Sequence, residues 1–462
     1  MTLRCDSARV SALVFLTAFT VFYAGSALAT FGYFPHGFGA KNKAMAGAGM
    51  AMPEDAISIV NNPAVAAVIG NRMDVGLTVF IPRRNYTTYE SDLNGEDGTF
   101  TIGPADIDSD DDLFLIPEIA RNWQLKNNSA IGIAFYMRTG MKTKYKGGSV
   151  TFDPDGDGPA SVATFDGTYG DGETRFEMSQ AYLDVTWAKR WGGKTSFGIS
   201  AVLAAQGLKV KGTGGLAKYT QTFAASDGAV LPDSLSNNGR DRTYGAGLKL
   251  GFHRQFGEHF SFGMMYQTEI KMGKSHRYSD LFANGAAMDI PAWFRAGITW
   301  QPTDRLSFSI DMQQIWYSKI DAIGNSFFNL YDCPTTGLGG TDLNSCLGGK
   351  NGPGFGWKDV PVYSFGASWD ISDNWTLRAG MAISDQPVPA DETTLNILFP
   401  SQTESHYAFG FTRKLNRGHE LSFSFMYSEE ESIERANQLD RSQTILLTTD
   451  QFDFEVSYSW GF

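Results

Sequence analysis

The chain has 462 residues, of which 42% are hydrophobic, 19% charged and 13% aromatic, and its formal net charge at pH 7 is -12. The acidic excess argues against a nucleic-acid partner, because contacts with phosphate groups require a cationic surface. The aromatic content argues against disorder. After the first thirty residues, no stretch approaches the roughly 20 apolar residues of a membrane-spanning helix.

Residues 1–29 have the layout of a secretory signal peptide. A basic N-terminal region precedes the uncharged apolar run Val10 to Gly25, and the small residues Ala27 and Ala29 form an A-x-A cleavage site. We expect cleavage after Ala29. A retained membrane anchor is the alternative, but the apolar run is short for one.

Residues 30–70 differ from the rest of the chain in being rich in glycine and other small residues. They contain one short helix candidate, Pro53 to Val60, with a proline at an early position. The segment is too short to be a domain. Because it precedes a predicted barrel whose lumen would otherwise hold water, we predict that it is a hatch that plugs the lumen.

Residues 71–462 alternate with a period of two. The C-terminus shows this clearly, because Phe452, Phe454 and Val456 fall on one face whereas Asp453 and Glu455 fall on the other. Segments of about ten residues with aromatic residues near both ends are typical of transmembrane β-strands. A soluble sandwich also alternates, but its strands are shorter and its outer face is polar.

Six tight polar turns and seven longer segments would join fourteen strands. The turns are 126–129, 192–194, 257–259, 302–305, 372–374 and 416–418, and the longer segments are 84–112, 147–174, 212–240, 276–290, 321–359, 386–403 and 432–440. Short turns on one side and long loops on the other are typical of outer-membrane barrels. The predicted fold is therefore all-β, a 14-stranded antiparallel transmembrane β-barrel with a small N-terminal hatch.

The long loops contain two possible covalent or metal sites. Cys333 and Cys346 lie close together in one glycine-rich loop, which in an exported chain predicts a disulfide, with two free thiols as the alternative. Asp153, Asp155 and Asp157 alternate as in a calcium loop, but the glutamate at position twelve is missing. Solvated loop charge is the preferred interpretation, and no metal or cofactor is expected.

Several motifs resemble those of the FadL/TodX family of outer-membrane transporters for long-chain fatty acids and hydrophobic hydrocarbons. They are Gly39–Gly49 (GAKNKAMAGAG), Pro53–Ala56, Asn62-Pro63-Ala64, Gly356–Asp359, Asp385–Pro389 and the closing Phe462. The resemblance implies a 14-stranded barrel in the outer membrane of a Gram-negative bacterium. It also implies that a ligand binds in an interior apolar pocket and leaves through an opening in the wall near strand 3.

The resemblance and the alternation together suggest site residues. Candidates for ligand binding and gating are Phe31, Tyr33, Phe34, Phe38, Asn62, Pro63 and Ala64. Candidates for polar anchors in the lumen are Arg295, Arg378, Lys271 and His406, the last at a position where many family members have arginine. Plug packing and mutually paired structural charges are the respective alternatives.

Pro117 and Gly140 are the candidates for the lateral opening. Proline cannot donate a ladder hydrogen bond and glycine permits a kink, so we predict a gap between strands two and three. The expected partners are a hydrophobic small molecule, outer-membrane lipid and lipopolysaccharide, and the chain is expected to be a monomer. A general porin remains an alternative, whereas an outer-membrane enzyme lacks a recognisable nucleophile and base.

Overall fold

The computed structural model describes residues 31–110, 113–155 and 160–462. The predicted signal peptide and Asp157 lie outside the described residues. Among the residues that are described, no helix is long and apolar enough to cross a membrane.

Within the described ranges, fourteen antiparallel strands form one closed barrel. Numbered β1 to β14 in chain order, they are Arg72–Thr88, Phe114–Gln124, Ser129–Tyr145, Thr174–Trp191, Thr195–Lys211, Asp241–Phe256, Phe260–Gln267, Trp293–Thr303, Leu306–Ile315, Val360–Ser372, Trp375–Ser384, Ser405–Lys414, His419–Asn437 and Asp440–Gly461. Each strand pairs with the next, and β14 pairs with β1 from Gly461↔Arg72 to Ile445↔Thr88. The predicted fold class is confirmed.

The alternating sequence explains why these strands close into a barrel. On β14, the side chain of Val456 is 50% exposed on the outside, whereas that of Glu455 is fully buried in the lumen. A closed ring gives every strand a paired neighbour on each side, so that the sheet has no edge strand. The apolar outer face and the polar inner face therefore follow directly from the period of two.

Shorter elements lie before the first barrel strand and in the segments between the strands. Short strands are Phe100–Ile102, Ala105–Asp108, Ser149–Phe152, Ala163–Asp166 and Lys271–Met272, and short α-helices are Ala40–Lys43, Ser58–Asn61, Gln221–Ala225, Ala283–Ala286 and Asp321–Gly324. The 3₁₀ turns are Pro63–Ala67, Gly214–Tyr219, Tyr317–Lys319, Phe327–Asp332, Pro334–Thr336, Leu343–Ser345, Leu395–Ile397 and Asn416–Gly418. The helix expected from Pro53 to Val60 is therefore reduced to one turn at Ser58–Asn61.

The connections follow the expected pattern except at the last hairpin. The six predicted tight turns all join consecutive strands at one end of the barrel. The segment 432–440 is not a loop, because β13 and β14 continue to Asn437 and Asp440 and only two residues join them. The end of this hairpin extends beyond the membrane, where a strand needs no apolar outer face. Its residues are mostly polar, and the alternation pattern therefore does not reveal it.

The long loops carry the disulfide and the acidic segment. Cys333 and Cys346 are joined by a disulfide, with their Cα atoms 4.8 Å apart. Asp153 uses its carboxylate within its own loop, where Oδ1 accepts hydrogen bonds from Asp155 N at 3.3 Å and from Ser161 Oγ at 2.7 Å. In the part of the chain that is described, no three His, Cys, Asp or Glu residues are grouped to hold a metal ion.

Glu392 joins two of the long loops and provides a test of their pH dependence. Its carboxyl group accepts hydrogen bonds from Ser326 Oγ and from Phe327 N, and burial raises the pKa of Glu392 to about 7. Since this value lies above the unfolded one, the neutral group stabilises the fold at low pH, and that contribution is lost as pH rises through about 7.

We therefore expect the melting temperature of the natural protein to fall below that of Glu392→Gln as pH is raised from about 5 to about 8. Glutamine mimics the neutral form and does not titrate. The measurement is a pair of thermal melts at each pH. A difference between the two proteins that stays constant over this range would contradict the assignment.

Candidate functional site

Residues 31–70, called here the N-terminal segment, lie inside the ring of strands and are held there by charges on the wall. Lys43 Nζ lies 3.2 Å from Asp453 Oδ2 and 3.0 Å from Glu455 Oε2, both on β14. Lys41 Nζ lies 2.6 Å from Glu420 Oε2 on β13. Removing these charges from water costs free energy, and pairing each with an opposite charge offsets that cost.

A second buried group of charges holds the opposite side of the segment. Lys249 Nζ on β6 lies 2.6 Å from Asp184 Oδ2 on β4, and both side chains are fully buried. The same nitrogen donates to Tyr136 Oη on β3 at 2.9 Å and to the carbonyl oxygen of Val60 at 3.2 Å. One ammonium group therefore links three strands to the N-terminal segment.

Arg295 and Arg378, two of the predicted lumen anchors, are both paired. Arg295 Nη2 lies 3.0 Å from Asp311 Oδ2, and the Asp311 carboxylate also accepts hydrogen bonds from Gly49 N at 3.2 Å and Met50 N at 2.9 Å. Arg378 pairs with Glu54 and donates to Thr412 Oγ1 at 2.7 Å. In this state both guanidinium groups hold the N-terminal segment and the wall together.

Lys271, another predicted lumen anchor, points outward instead. Its side chain is 76% exposed and pairs with Glu269 and with Asp289, the latter at 3.0 Å. The reason is one extra residue in the chain after β7. Lys249 of β6 pairs with Gln267, and Ala246 of β6 pairs with Lys271. Three residues along β6 therefore correspond to four residues from Gln267 to Lys271. Such an insertion moves every following side chain to the other face.

The Asn62-Pro63-Ala64 motif rests against glycines of the wall. Asn62 Oδ1 accepts from Ala64 N at 3.1 Å, and Asn62 Nδ2 donates to Phe252 O at 3.0 Å. A Cβ atom added to Gly198 on β5 would lie 2.3 Å from the backbone carbon of Pro63. The motif therefore fits because the wall has no side chain at this point.

Three of the four predicted pocket aromatics join one buried aromatic cluster. The ring of Tyr33 lies 5.2 Å from that of Tyr317 and 5.9 Å from that of Phe399, and Trp357 lies 4.5 Å from Phe399. Phe31 and Phe34 belong to the same cluster. Phe38 lies apart, 4.7 Å from the ring of Tyr136. Their exposures are 0% for Phe31, 1% for Tyr33 and Phe34, and 5% for Phe38.

Tyr317, Trp357 and Phe399 were not predicted as site residues. Trp357 and Phe399 come from long segments that the sequence places outside the membrane, and Tyr317 lies between β9 and the first of these segments. The alternation pattern carries no signal that these residues fold back onto the N-terminal segment. Tyr317 Oη donates to the carbonyl oxygen of Phe31, and Trp357 Nε1 donates to Asn396 Oδ1 at 2.8 Å. The polar atoms of these rings are therefore used within the protein, and their apolar faces remain for packing.

His406, the remaining predicted anchor, packs against a histidine of the N-terminal segment, with the two rings tilted by 60°. The rings of His36 and His406 lie 3.9 Å apart, and His406 Nε2 lies 3.0 Å from Gln451 Nε2. Burial, His406, Lys43 and Arg295 together lower the pKa of His36 well below its ordinary value. A neutral imidazole has one donor and one acceptor nitrogen, so this pair provides hydrogen bonds without charge.

The pairing of β2 with β3 stops partway along the wall. It runs from Gln124↔Ala130 to Glu118↔Tyr136, one residue after Pro117, and beyond that point the described part of β3 pairs with β4 alone. The register of β3 shifts between Met137 and Thr139, next to Gly140. Asp110 N donates to Lys144 O at 2.9 Å and marks the far limit of the gap.

The chain is similar to known outer-membrane proteins. A family model described as outer membrane protein transport protein (OMPP1/FadL/TodX) matches residues 21–459. The long-chain fatty acid transport protein of Salmonella typhi is 21% identical over 58% of this chain and 64% of its own length. That of Escherichia coli K12 is 22% identical over 47% and 49%. These alignments thus span less than two thirds of each curated relative.

Solved structures show the same fold. The Pseudomonas putida toluene transporter TodX superposes with a TM-score of 0.61 at 14% identity, covering 93% of this chain and 99% of that one. A Pseudomonas aeruginosa FadL homologue gives 0.62 at 14% identity, covering 93% and 100%. The family consists of transport proteins, in agreement with the expectation that the chain is not an enzyme. The match over nearly the whole sequence shows that this chain belongs to the OMPP1/FadL/TodX family of outer-membrane transport proteins.

Proposed function

We propose that this protein carries hydrophobic compounds, long-chain fatty acids or hydrocarbons, across the outer membrane and releases them sideways through the gap between β2 and β3. The observation that carries the proposal is that, within the described residues, the ladder between β2 and β3 stops at Glu118↔Tyr136. The N-terminal segment occupies the axis of the barrel, so a sideways exit would spare an apolar solute the polar contacts around Lys43 and Asp311.

The aromatic cluster is the proposed binding place. An apolar ligand gains by leaving water for a site of this kind, because pockets are mostly apolar with a few polar groups that fix orientation. Phe31, Tyr33 and Phe34 belong to the N-terminal segment, and we propose that they move to admit the ligand. Asn62 and Phe38 would keep the rest of the segment docked during that movement.

The proposal extends to the lipid surroundings and the oligomeric state of the barrel. The exposed apolar side chains on the outer face, such as Val456, would contact membrane lipid. Lipopolysaccharide would lie beside the long loops, and the protein would act as a monomer. A general porin is the alternative, and the N-terminal segment inside the ring makes it the weaker one.

The test is to close the gap. The variant combines Pro117→Val, which restores a backbone donor, with deletion of Arg138, which removes the extra residue between Met137 and Thr139. We expect uptake of a labelled apolar solute by whole cells to fall to that of cells lacking the protein, because β2 and β3 can then pair along their full length.

Pro361→Val is the matched control, since Pro361 lies within β10 and pairs with Gln314 far from the gap. Its uptake should equal that of the natural protein. Heat-modifiable migration in detergent gels checks that each barrel has closed. Unchanged uptake in a closed barrel of the double variant would disprove the lateral exit.

A further inference from the structure

A cluster of buried hydrogen-bonding atoms beside the aromatic cluster lacks partners. Within the described part of the chain these atoms are Nδ1 and Nε2 of His36, Nδ1 of His406, Nε2 of Gln402 and Oε1 of Gln451. His406 and Gln402 are 0% exposed, His36 is 1% exposed and Gln451 is 3% exposed. Orphaned polar atoms at this depth cost free energy unless a further group comes to bind them.

The four residues form one site, called here the His36–His406 site. Gln451 Nε2 contacts His406 Nε2 at 3.0 Å, and Gln402 Oε1 accepts from Thr449 Oγ1 at 2.7 Å. His406 lies on β12, and Thr449 and Gln451 lie two residues apart on β14. His36 covers His406 from the N-terminal segment, with the ring centroids 3.9 Å apart.

The unused atoms include both donors and acceptors. With Gln451 donating to Nε2, the proton of neutral His406 lies on Nδ1, which is then a free donor, as is the amide nitrogen of Gln402. Gln451 Oε1 and the bare nitrogen of His36 are free acceptors. A hydroxyl group, which donates once and accepts as well, matches this set. A carboxylate can only accept, and a hydrocarbon can do neither.

The charges around the site also favour a neutral ligand group over a carboxylate. The nearby cations are already neutralised, since Arg295 pairs with Asp311 at 3.0 Å and Lys43 pairs with Asp453 and Glu455 at 3.2 and 3.0 Å. A carboxylate placed here would therefore lose its hydration without gaining an unpaired positive charge. A neutral polar group would lose much less.

The apolar part of a ligand also has a place beside the site. The fully buried ring of Phe31 lies 4.2 Å from the ring of His36 and 5.2 Å from that of His406. We infer that the His36–His406 site binds the hydroxyl group of a neutral apolar alcohol or phenol, whose body takes the position of the Phe31 ring. This inference rests on the proposed transport of hydrophobic compounds, and at this site it favours an alcohol or phenol over a fatty acid or a hydrocarbon.

The test compares three ligands with the same body: butylbenzene, 4-phenylbutan-1-ol and 4-phenylbutanoate. Binding to the full-length protein in lipid nanodiscs is measured by calorimetry at neutral pH. We expect the alcohol to bind on the order of tenfold more tightly than either of the others, the gain of one or two buried hydrogen bonds. His406→Phe should remove this preference, so that the alcohol and butylbenzene bind with similar affinity.

His419→Phe is the matched control, because His419 contacts Tyr458 at the turn end of the barrel, and it should keep the preference. Gln451→Met provides a second test if His406→Phe does not form a closed barrel. Equal binding of the three ligands, or tightest binding of the hydrocarbon or carboxylate, would overturn the inference and leave transport standing. Binding of none of them would overturn both.

Discussion

Replacing Lys249 by methionine is expected to lower the free energy of unfolding by about 3–5 kcal/mol. The cause is Asp184, which would keep a fully buried carboxylate after losing an ammonium partner at 2.6 Å. Methionine fills a similar volume, so the loss measures the unpaired charge rather than a cavity. Thermal or urea unfolding of the purified barrel gives the measurement.

Lys271→Met is the matched control, because it removes the same group from a pair whose lysine side chain is 76% exposed. Exposed pairs contribute about 0–1 kcal/mol, and the control should change stability by no more than that. The double variant Lys249→Met/Asp184→Leu should recover most of the loss, since no buried charge remains. Equal effects of the two lysine substitutions would contradict the buried network.

Gly198→Ala is expected to displace the Asn62-Pro63-Ala64 motif from the wall. The added Cβ would lie 2.3 Å from Pro63 C and 2.5 Å from Ala64 N, and neither is the end of a flexible side chain. Overpacking against backbone costs about 1–3 kcal/mol or more. We expect lower stability and faster proteolysis of the N-terminal segment, measured by melting and by mass spectrometry of the fragments.

Gly273→Ala is the control for this substitution, because its new Cβ would have no neighbour closer than 3.7 Å. Its stability should stay close to that of the natural protein. If the two alanine variants have the same melting temperature and proteolysis pattern, the close approach of the motif to β5 is not a constraint on docking.

The barrel can be predicted from the sequence because its signals are local. Alternation along β14 and polar residues at each tight turn depend only on neighbouring positions, and these fix the number of strands. Alternation predicts that Lys271 faces the lumen, whereas its side chain faces outward, because one extra residue before it reverses the alternation. So short an irregularity leaves no compositional mark. The β13–β14 hairpin was shortened for a related reason, since its extension is polar.

The interior contacts are beyond this kind of inference. Lys43 is paired with Asp453 and Glu455 across almost the full length of the chain, and no periodicity relates them. Tyr317, Trp357 and Phe399 meet the N-terminal segment only because long loops fold inward. The sequence therefore predicts which strand residues face the lumen, but it does not show which lumen charges are already paired. Whether Arg295 and Arg378 can bind a ligand depends on this pairing.

The pairing of Lys41 and Lys43 with the last two strands has a consequence for assembly. Lys41 is 379 residues from Glu420, and Lys43 is 410 residues from Asp453. These partners reach their final positions only when β14 has joined β1. The N-terminal segment, although synthesised before the barrel, therefore completes its folding after the ring has closed, and any factor that inserts the strands receives a chain whose plug is still undocked.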